Sequence, residues 1–187
     1  FSMVTAGSGA ANIALSCKSI VYAWGDNQNK ECGQGKSAGN VISYPVPVLK
    51  GETPGYTEDG QKGGDYLGDV VYIAANTQAA FAILGTGEVV GWGTGAWSNG
   101  SGEPMYIKTP DNKRLQNVVH VAGGDANCTF RTADGKLYSI GTNNGNDNSD
   151  AEFAIPVLEE ETGEELSNIR MSGLADKSGF AVQAGTG

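Results

Sequence analysis

The feature that most constrains this chain is an internal repeat, because repeated sequence folds into repeated structural units. Three similar segments each end in a small residue, and a glycine follows 18 residues after that residue. The three pairs of residues are Gly7 and Gly25, Ala75 and Gly93, and Gly123 and Gly141. A fourth copy begins at Arg170-Met-Ser-Gly173 and is incomplete. The sequence therefore predicts three full repeats and part of a fourth.

Within each repeat, alternating apolar positions predict short β-strands. In the first strand one face is expected to carry Met3, Val71, Val119 and Ile169, followed by Thr5, Ile73, Val121 and Met171. The second strand is expected around Ile13–Leu15 and its counterparts, and the third at Val21–Trp24, Val89–Trp92 and Leu137–Ile140. The turns between the second and third strands place Ser19, Gly87 and Gly135 where a hairpin needs positive φ.

A weaker fourth strand is predicted at Tyr44–Leu49 and Phe153–Leu158, with Met105–Lys108 as the middle counterpart. Four antiparallel strands in a repeat of about 50 residues are typical of a propeller blade. We therefore predict an all-β fold, a β-propeller of four-stranded antiparallel blades in an incomplete ring of about three and a half blades. We expect residues 1–187 to form a single propeller segment with repeats at about 1–69, 70–117 and 118–168, a partial repeat at 169–187, and an insertion at a blade edge over 51–69.

Composition narrows the function classes. The chain contains 29 glycines in 187 residues and has a net charge of −9. Such an acidic surface repels phosphate backbones and anionic lipids, so nucleic-acid binding and membrane insertion are not expected. Cys17, Cys32 and Cys128 have no metal-ligand spacing, so we expect semi-buried thiols, with one disulfide at most.

Several motifs resemble the regulator-of-chromosome-condensation repeat family of β-propellers. The first copy carries Val-Tyr-Ala-Trp-Gly-Asp-Asn at 21–27, Cys-Gly-Gln-Gly at 32–35 and Pro-Val-Leu at 47–49, whereas the third copy has Ile140 where tryptophan is usual. The resemblance implies blades from a ring of about seven. One role known in the family is nucleotide exchange on a nuclear GTPase, and a similar propeller is a secreted bacterial inhibitor of β-lactamase. The resemblance assigns no functional residue to this chain.

We predict a non-enzymatic module that binds another protein, or further copies of itself, through the loops after each Trp-Gly position. Trp97 is a candidate anchor because tryptophan is enriched in binding hot spots. The full set of predicted contact residues is Asp26, Asn27, Gln28, Trp97, Asn99, Asn143 and Asn144. Trp24 and Trp92 are expected to pack between blades. His120 is interpreted as structural, because a lone histidine cannot build a multi-histidine metal site.

Other interpretations stay open at this stage. The chain could be a self-assembling unit of a surface fibre or adhesin, a glycan-binding propeller, or an exchange factor for a small GTPase. No cofactor is expected, with calcium at Asn143–Asp150 as a weaker alternative based on its alternating oxygen ligands. The glutamates of 159–165 predict a solvated hairpin tip, or alternatively a contact for a basic partner. The low Lys and Arg content favours an extracellular or cell-surface location within a larger secreted protein.

Overall fold

The computed structural model describes residues 1–7, 11–95, 97–125, 127–142, 151–175 and 178–184, and these residues form strands and loops without a helix. Blade 1 consists of β1 (Met3–Ala6), β2 (Ala11–Leu15), β3 (Val21–Asp26) and β4 (Val41–Pro47). Blade 2 consists of β5 (Val70–Ala75), β6 (Ala79–Leu84), β7 (Val89–Gly93) and β8 (Met105–Tyr106). Blade 3 consists of β9 (Val118–Gly123), β10 (Asn127–Thr132), β11 (Leu137–Gly141) and β12 (Ala151–Pro156).

The fourth sheet is a two-stranded hairpin of β13 (Ile169–Ala175) and β14 (Ser178–Gln183). In each blade, strands that are consecutive in the chain pair as antiparallel neighbours. The predicted all-β fold of four-stranded antiparallel blades is confirmed, and the described strands do not close into a ring. No helix long and apolar enough to span a membrane is present in the described residues.

The hairpin turns between the second and third strands follow the prediction. Ser19, Gly87 and Gly135 have φ values of 61°, 82° and 81°. A second left-handed position recurs just before the first strand of later repeats, where Asp69, Asn117 and Asn168 each have a φ of 58°. Asp and Asn tolerate this region because their short side chains can bond locally. Local chemistry therefore positions the blade turns.

The first strands differ from the predicted alternation. Val71 and Met171, both expected on the inward face, are 59% and 60% exposed, whereas Val70 is 1% exposed. The pairing of β5 with β6 shifts between Val70 and Tyr72, and β13 shifts in the same way. Such a bulge adds one residue and moves the preceding side chains to the opposite face. In β5 the prediction was wrong at the bulge, at Val71, and correct after it, where Ile73 is buried. In β13 the order is reversed, because Ile169 before the shift is buried as predicted and Met171 after it is exposed.

The fourth strands are displaced from their predicted bounds. β4 and β12 begin earlier than predicted and end at proline. Val48 therefore lies beyond β4, where its backbone N–H donates to the carbonyl of Val21 at 2.9 Å. β8 contains only two residues. The segment 51–69 forms a folded loop in which Tyr56, a buried residue, makes bridges with Lys62 and Tyr66.

Two apolar cores lie between the three full blades, one at each junction. The junction of blades 1 and 2 buries residues from both, including Ile13, Val21, Leu67, Ile73 and Trp92. The junction of blades 2 and 3 is built in the same way and includes Phe81, Val89, Ile107, Phe130 and Ile140. Burial of such side chains contributes about 1.5–3 kcal/mol each. The blades are therefore held face to face by side chains rather than by backbone pairing.

Strand direction places the loops on two opposite faces. The face formed by the loops β1–β2, β3–β4, β5–β6, β7–β8, β9–β10 and β11–β12 is called the loop face. The other face carries the short turns and the five described ion pairs, among them Lys136 with Glu165 at 2.7 Å. The glutamate-rich segment 159–165 lies there as a turn in which the N–H of Glu159 donates to the carbonyl of Glu164.

Candidate functional site

The predicted contact residues that the structure describes all lie on the loop face. Asp26, Asn27 and Gln28 begin the β3–β4 loop, and Trp97 and Asn99 lie in the β7–β8 loop. Asn143 and Asn144 lie outside the described residues, as does the whole candidate calcium segment 143–150. The predicted contact residues that the structure describes therefore share one face of the molecule, although they play different roles there.

Asn27 is a structural residue of the β3–β4 loop. Its side chain is fully buried, its amide nitrogen donates to the carbonyl of Gly39 at 2.7 Å, and its amide oxygen accepts from the N–H of Cys32 at 3.0 Å. A buried amide with both ends bonded holds the loop and is not available to a partner. The prediction of Asn27 as a contact residue is corrected here, because the loop closes over its side chain.

The neighbours of Asn27 are more accessible. The Asp26 carboxylate is half-buried and accepts from the backbone N–H of Gln28 at 3.1 Å, whereas Gln28 itself is exposed. In the next loop Asn99 is exposed, and its side-chain oxygen accepts from the N–H of Ser101 at 2.7 Å. Gln28 and Asn99 are thus the predicted residues best placed to touch a partner.

Trp92 joins blade 2 to the loop of blade 1. It is 1% exposed, and its indole Nε1–H donates to the backbone carbonyl of Glu31 at 2.7 Å. Gly33 lies so close that a Cβ there would be 3.1 Å from Cδ1 of the indole, and its φ is +63°. The hydroxyl of Thr94 adds a second link by donating to the carbonyl of Asn29 at 3.1 Å. The prediction that Trp92 packs between blades is confirmed.

Trp97 packs at the junction of blades 2 and 3. Its ring is half-buried, with its centroid 5.4 Å from that of Phe81, and Phe81 in turn lies edge-on to Phe130 at 5.8 Å. Position 91 must be small here, because a Cβ on Gly91 would lie 2.9 Å from both Phe81 and Trp97. Much of the Trp97 ring is therefore used in packing within the molecule.

A cleft opens beside Trp97 on the loop face. Its volume is about 220 Å³, and its described lining includes the apolar side chains of Phe81, Trp97, Cys128 and Ile140 together with the buried Asn127. The exposed residues Gln78 and Thr94 stand at the rim, and the buried Asn76 also lines the cleft. Asn76 fixes the β5–β6 turn, since its side-chain oxygen accepts from the N–H groups of Gln78 and Ala79 at 2.9 and 2.7 Å. Sequence reasoning selected Trp97 but not the β5–β6 turn, although an Asn that is followed by a strand signals such a turn.

The environments of the cysteines at the two junctions disfavour the thiolate form. Burial raises the pKa of Cys128 well above its ordinary value, and burial together with the Glu31 and Asp26 charges raises the pKa of Cys32 to about 12. Cys17 is exposed, and all three thiols are free. A raised pKa keeps a thiol protonated and weakly nucleophilic.

His120 lies on the first strand of blade 3. Its ring centroid is 5.6 Å from that of Tyr72 on the neighbouring blade, and burial with the nearby Arg131 charge lowers the pKa of the imidazole. Within the described residues, no group of three or more His, Cys, Asp or Glu side chains is placed to hold a metal ion. The arrangement of His120 is that of a packed side chain.

Comparison with known proteins finds relatives at low sequence identity. No family model matches the chain. It is 28% identical to the human E3 ubiquitin-protein ligase HERC2 over 72% of this chain and 2% of that protein, and 28% identical to Protein pim1 of Schizosaccharomyces pombe over 98% of this chain and 35% of that protein. It is 25% identical to the RCC1 domain-containing protein RUG3, mitochondrial, of Arabidopsis thaliana over 81% of this chain and 30% of that protein. The chain thus spans only a minor part of each relative.

Solved structures share the fold at low identity. Human WBSCR16 superposes with a TM-score of 0.71 at 16% identity, covering 97% of this chain and 45% of that one. Yeast Prp20p superposes with a TM-score of 0.65 at 18% identity, covering 98% of this chain and 44% of that one. Prp20 has been crystallised with Kap60, and its structure was described with its binding to Gsp1p and histones.

These findings also correct the predicted location. The Arabidopsis relative is named as a mitochondrial protein, and the yeast structural neighbour binds histones. The expectation of an extracellular or cell-surface protein is therefore wrong. It relied on a low content of basic residues, and bulk charge reports solubility and association rather than compartment.

Proposed function

Because the chain is built from RCC1-like β-propeller repeats, we propose that it is a non-enzymatic module whose loop face binds another protein. The observation that carries this proposal is the pair of adjacent loops that present Gln28, Trp97 and Asn99 on one face beside an uncharged cleft. The protein binding described for Prp20 supports it by analogy of fold. The activities of the longer relatives are not transferred.

Rigid loop bases support this mechanism. The β3–β4 loop is held by Asn27 and by Glu31, whose carboxylate accepts from the backbone N–H and the side-chain amide of Asn29 at 2.9 and 3.0 Å. The β7–β8 loop is tied to it through Thr94. Loops that are already ordered lose little conformational freedom on binding, so a larger part of the contact energy appears as affinity.

Site-specific crosslinking tests which face binds. A photoactivatable amino acid is placed at Gln28 or Asn99 on the loop face and, as matched exposed controls, at Asp111 or Glu160 on the opposite face. In a lysate of the encoding organism, we expect one discrete protein adduct from the loop-face positions, and the identified protein must then bind the purified chain. Adducts from the control positions alone, or none from Gln28 and Asn99, would contradict the proposal.

Nucleotide exchange is the second candidate, since the structural neighbour Prp20p binds Gsp1p. Release of a fluorescent guanine nucleotide from a panel of small GTPases measures it directly. Acceleration of release by the chain would favour exchange over simple binding. Native mass spectrometry of the purified chain addresses self-assembly in the same preparation, because stable higher oligomers without a partner would favour copies of this chain as the partner.

A further inference from the structure

We propose that the cleft between blades 2 and 3 receives one aromatic side chain, an indole above all, from the protein bound at the loop face. This inference rests on the proposed function and adds the chemistry of the partner's anchoring residue. It follows from comparing two equivalent positions of the repeat, one that a tryptophan of the chain fills and one that the described residues leave open.

The filled position is at the junction of blades 1 and 2. Trp92, the residue before Gly93, lies buried between the blades and donates its indole N–H to a backbone carbonyl of the neighbouring loop. At the next junction the matching residue before Gly141 is Ile140, which is also buried. An isoleucine side chain is much smaller than an indole, and it lines the cleft instead of filling it.

Trp97 occupies only part of the space that an indole at position 140 would fill. It enters from the loop of blade 2 and packs on Phe81, so its ring forms one wall, while Ile140 and Cys128 form the floor across from it. The remaining space of about 220 Å³ corresponds to roughly seven water molecules at about 30 Å³ each. That volume is below the range of roughly 300–1,000 Å³ for small-molecule sites, and it suits a single large side chain.

The lining selects an uncharged occupant. None of the described residues around the cleft carries a charge, although the chain has 12 basic and 21 acidic residues. A charged side chain would lose its hydration there without gaining a counter-ion. Phe81 and Trp97 supply aromatic surface for offset or edge contacts with a ring. Oxygen atoms of Gln78 and Thr94 at the rim can accept from an indole N–H, as the Glu31 carbonyl does for Trp92.

The test uses the full chain and a small probe in place of the partner. N-acetyl-tryptophanamide is titrated into the ¹⁵N-labelled protein, with N-acetyl-leucinamide and N-acetyl-alaninamide as matched controls. We expect saturable amide shifts at Thr94, Gly95 and Thr142 with a dissociation constant on the order of 1 mM for the indole probe. The leucine probe should bind at least threefold more weakly, and the alanine probe should leave these amides unchanged.

Filling the cleft from within provides the decisive variant. Ile140→Trp restores the residue type found at position 92 and should weaken probe binding at least tenfold, whereas Ile140→Val should leave it within about twofold. Ile140→Phe fills the cleft partly and serves if the tryptophan variant does not fold. Shifts located elsewhere, equal binding of all three probes, or undiminished binding by a folded Ile140→Trp variant would overturn the inference.

This outcome is separable from that of the proposed function. If the loop-face crosslinks form and Ile140→Trp leaves partner affinity unchanged, the cleft inference fails while the protein-binding function stands. If the indole probe binds at the cleft but no loop-face crosslink forms, the proposed function fails and the cleft remains a site for aromatic side chains.

Discussion

The two complete blade junctions are built from equivalent strands of the repeat and are filled in different ways. At the first junction one side chain, Trp92, reaches from blade 2 into the loop of blade 1 and is bonded there. At the second junction Ile140 stands in the equivalent place, and Trp97 approaches from the opposite blade. A repeat can therefore keep its strands while the packing tryptophan comes from a loop of the facing blade instead of from the third strand, and the imperfect replacement leaves a cleft.

The largest expected effect is at the first junction. Trp92→Ala should lower the free energy of unfolding by about 3–5 kcal/mol, because a fully buried indole is replaced by a cavity. Trp24→Ala is the matched control, since Trp24 holds the same repeat position on blade 1 but is only half-buried. Urea denaturation measures both variants. Equal losses in the two variants would show that full burial at the first junction makes Trp92 no more important for stability than Trp24.

Gly33→Ala tests how closely the backbone of blade 1 packs against Val48 and Trp92 at the first junction. The added Cβ would lie 2.6 Å from Cγ1 of Val48 and would adopt a φ of +63°, so we expect a loss of about 2 kcal/mol. Gly100→Ala separates the two causes, because Gly100 has a similar φ of +68° and nothing within 4 Å of its added Cβ. Thermal or urea unfolding should show a smaller loss for Gly100→Ala. Matching losses would mean that backbone strain alone is responsible.

A smaller loss is expected at the second junction. Trp97→Ala should cost about 1–2 kcal/mol, because the ring is half-buried and its main partner is Phe81. Asn99→Ala in the same loop serves as an exposed control and should stay within about 0.5 kcal/mol of the parent. If Trp97→Ala proves as damaging as Trp92→Ala in urea denaturation, the two junctions are equally dependent on their tryptophans.

The smallest effect is a difference in thiol accessibility. Cys17 should react first with an alkylating reagent at pH 7.5, followed by Cys128 beside the cleft and last by Cys32 in the filled junction. Peptide mass spectrometry after timed quenching gives the order. Faster labelling of Cys32 than of Cys128 would indicate that the first junction opens more readily.

The same thiols predict a loss of stability at alkaline pH. Burial raises the pKa of Cys32 from 9.0 to about 12 in the folded chain, so its contribution to stability is complete below about pH 9 and declines as the pH rises toward 12. Urea denaturation at pH 8 and pH 10 should show the decline. Cys32→Ala should reduce it, and an unchanged pH dependence in that variant would exclude this thiol as the cause.

The blade plan was predictable because its signals are local. The turn positions Ser19, Gly87 and Gly135 require a left-handed backbone whatever surrounds them, and they recur at the spacing of the repeat. The first-strand faces were predicted only in part. A bulge is specified by pairing with the next strand, so nothing at Val71 itself signals that this residue turns outward.

The candidate site was less predictable than the fold. Asn27 and Gln28 are adjacent polar residues in one loop, yet one is fully buried and the other is exposed. The difference depends on the carbonyl of Gly39 and the N–H of Cys32, which reach Asn27 only when the loop is closed. Likewise, Trp97 was predicted as a contact anchor, but its half-burial depends on how its loop folds back onto Phe81 of the same blade.

The sequence by itself determined the number and order of the repeats, the antiparallel strands within each blade and the acidic charge. These properties follow from residue spacing, backbone preference and composition, which act over a few positions. Tertiary structure decided which side chain fills each junction and where a cleft remains. That decision depends on residues from separate blades meeting in three dimensions, and a pattern read along one strand does not contain it.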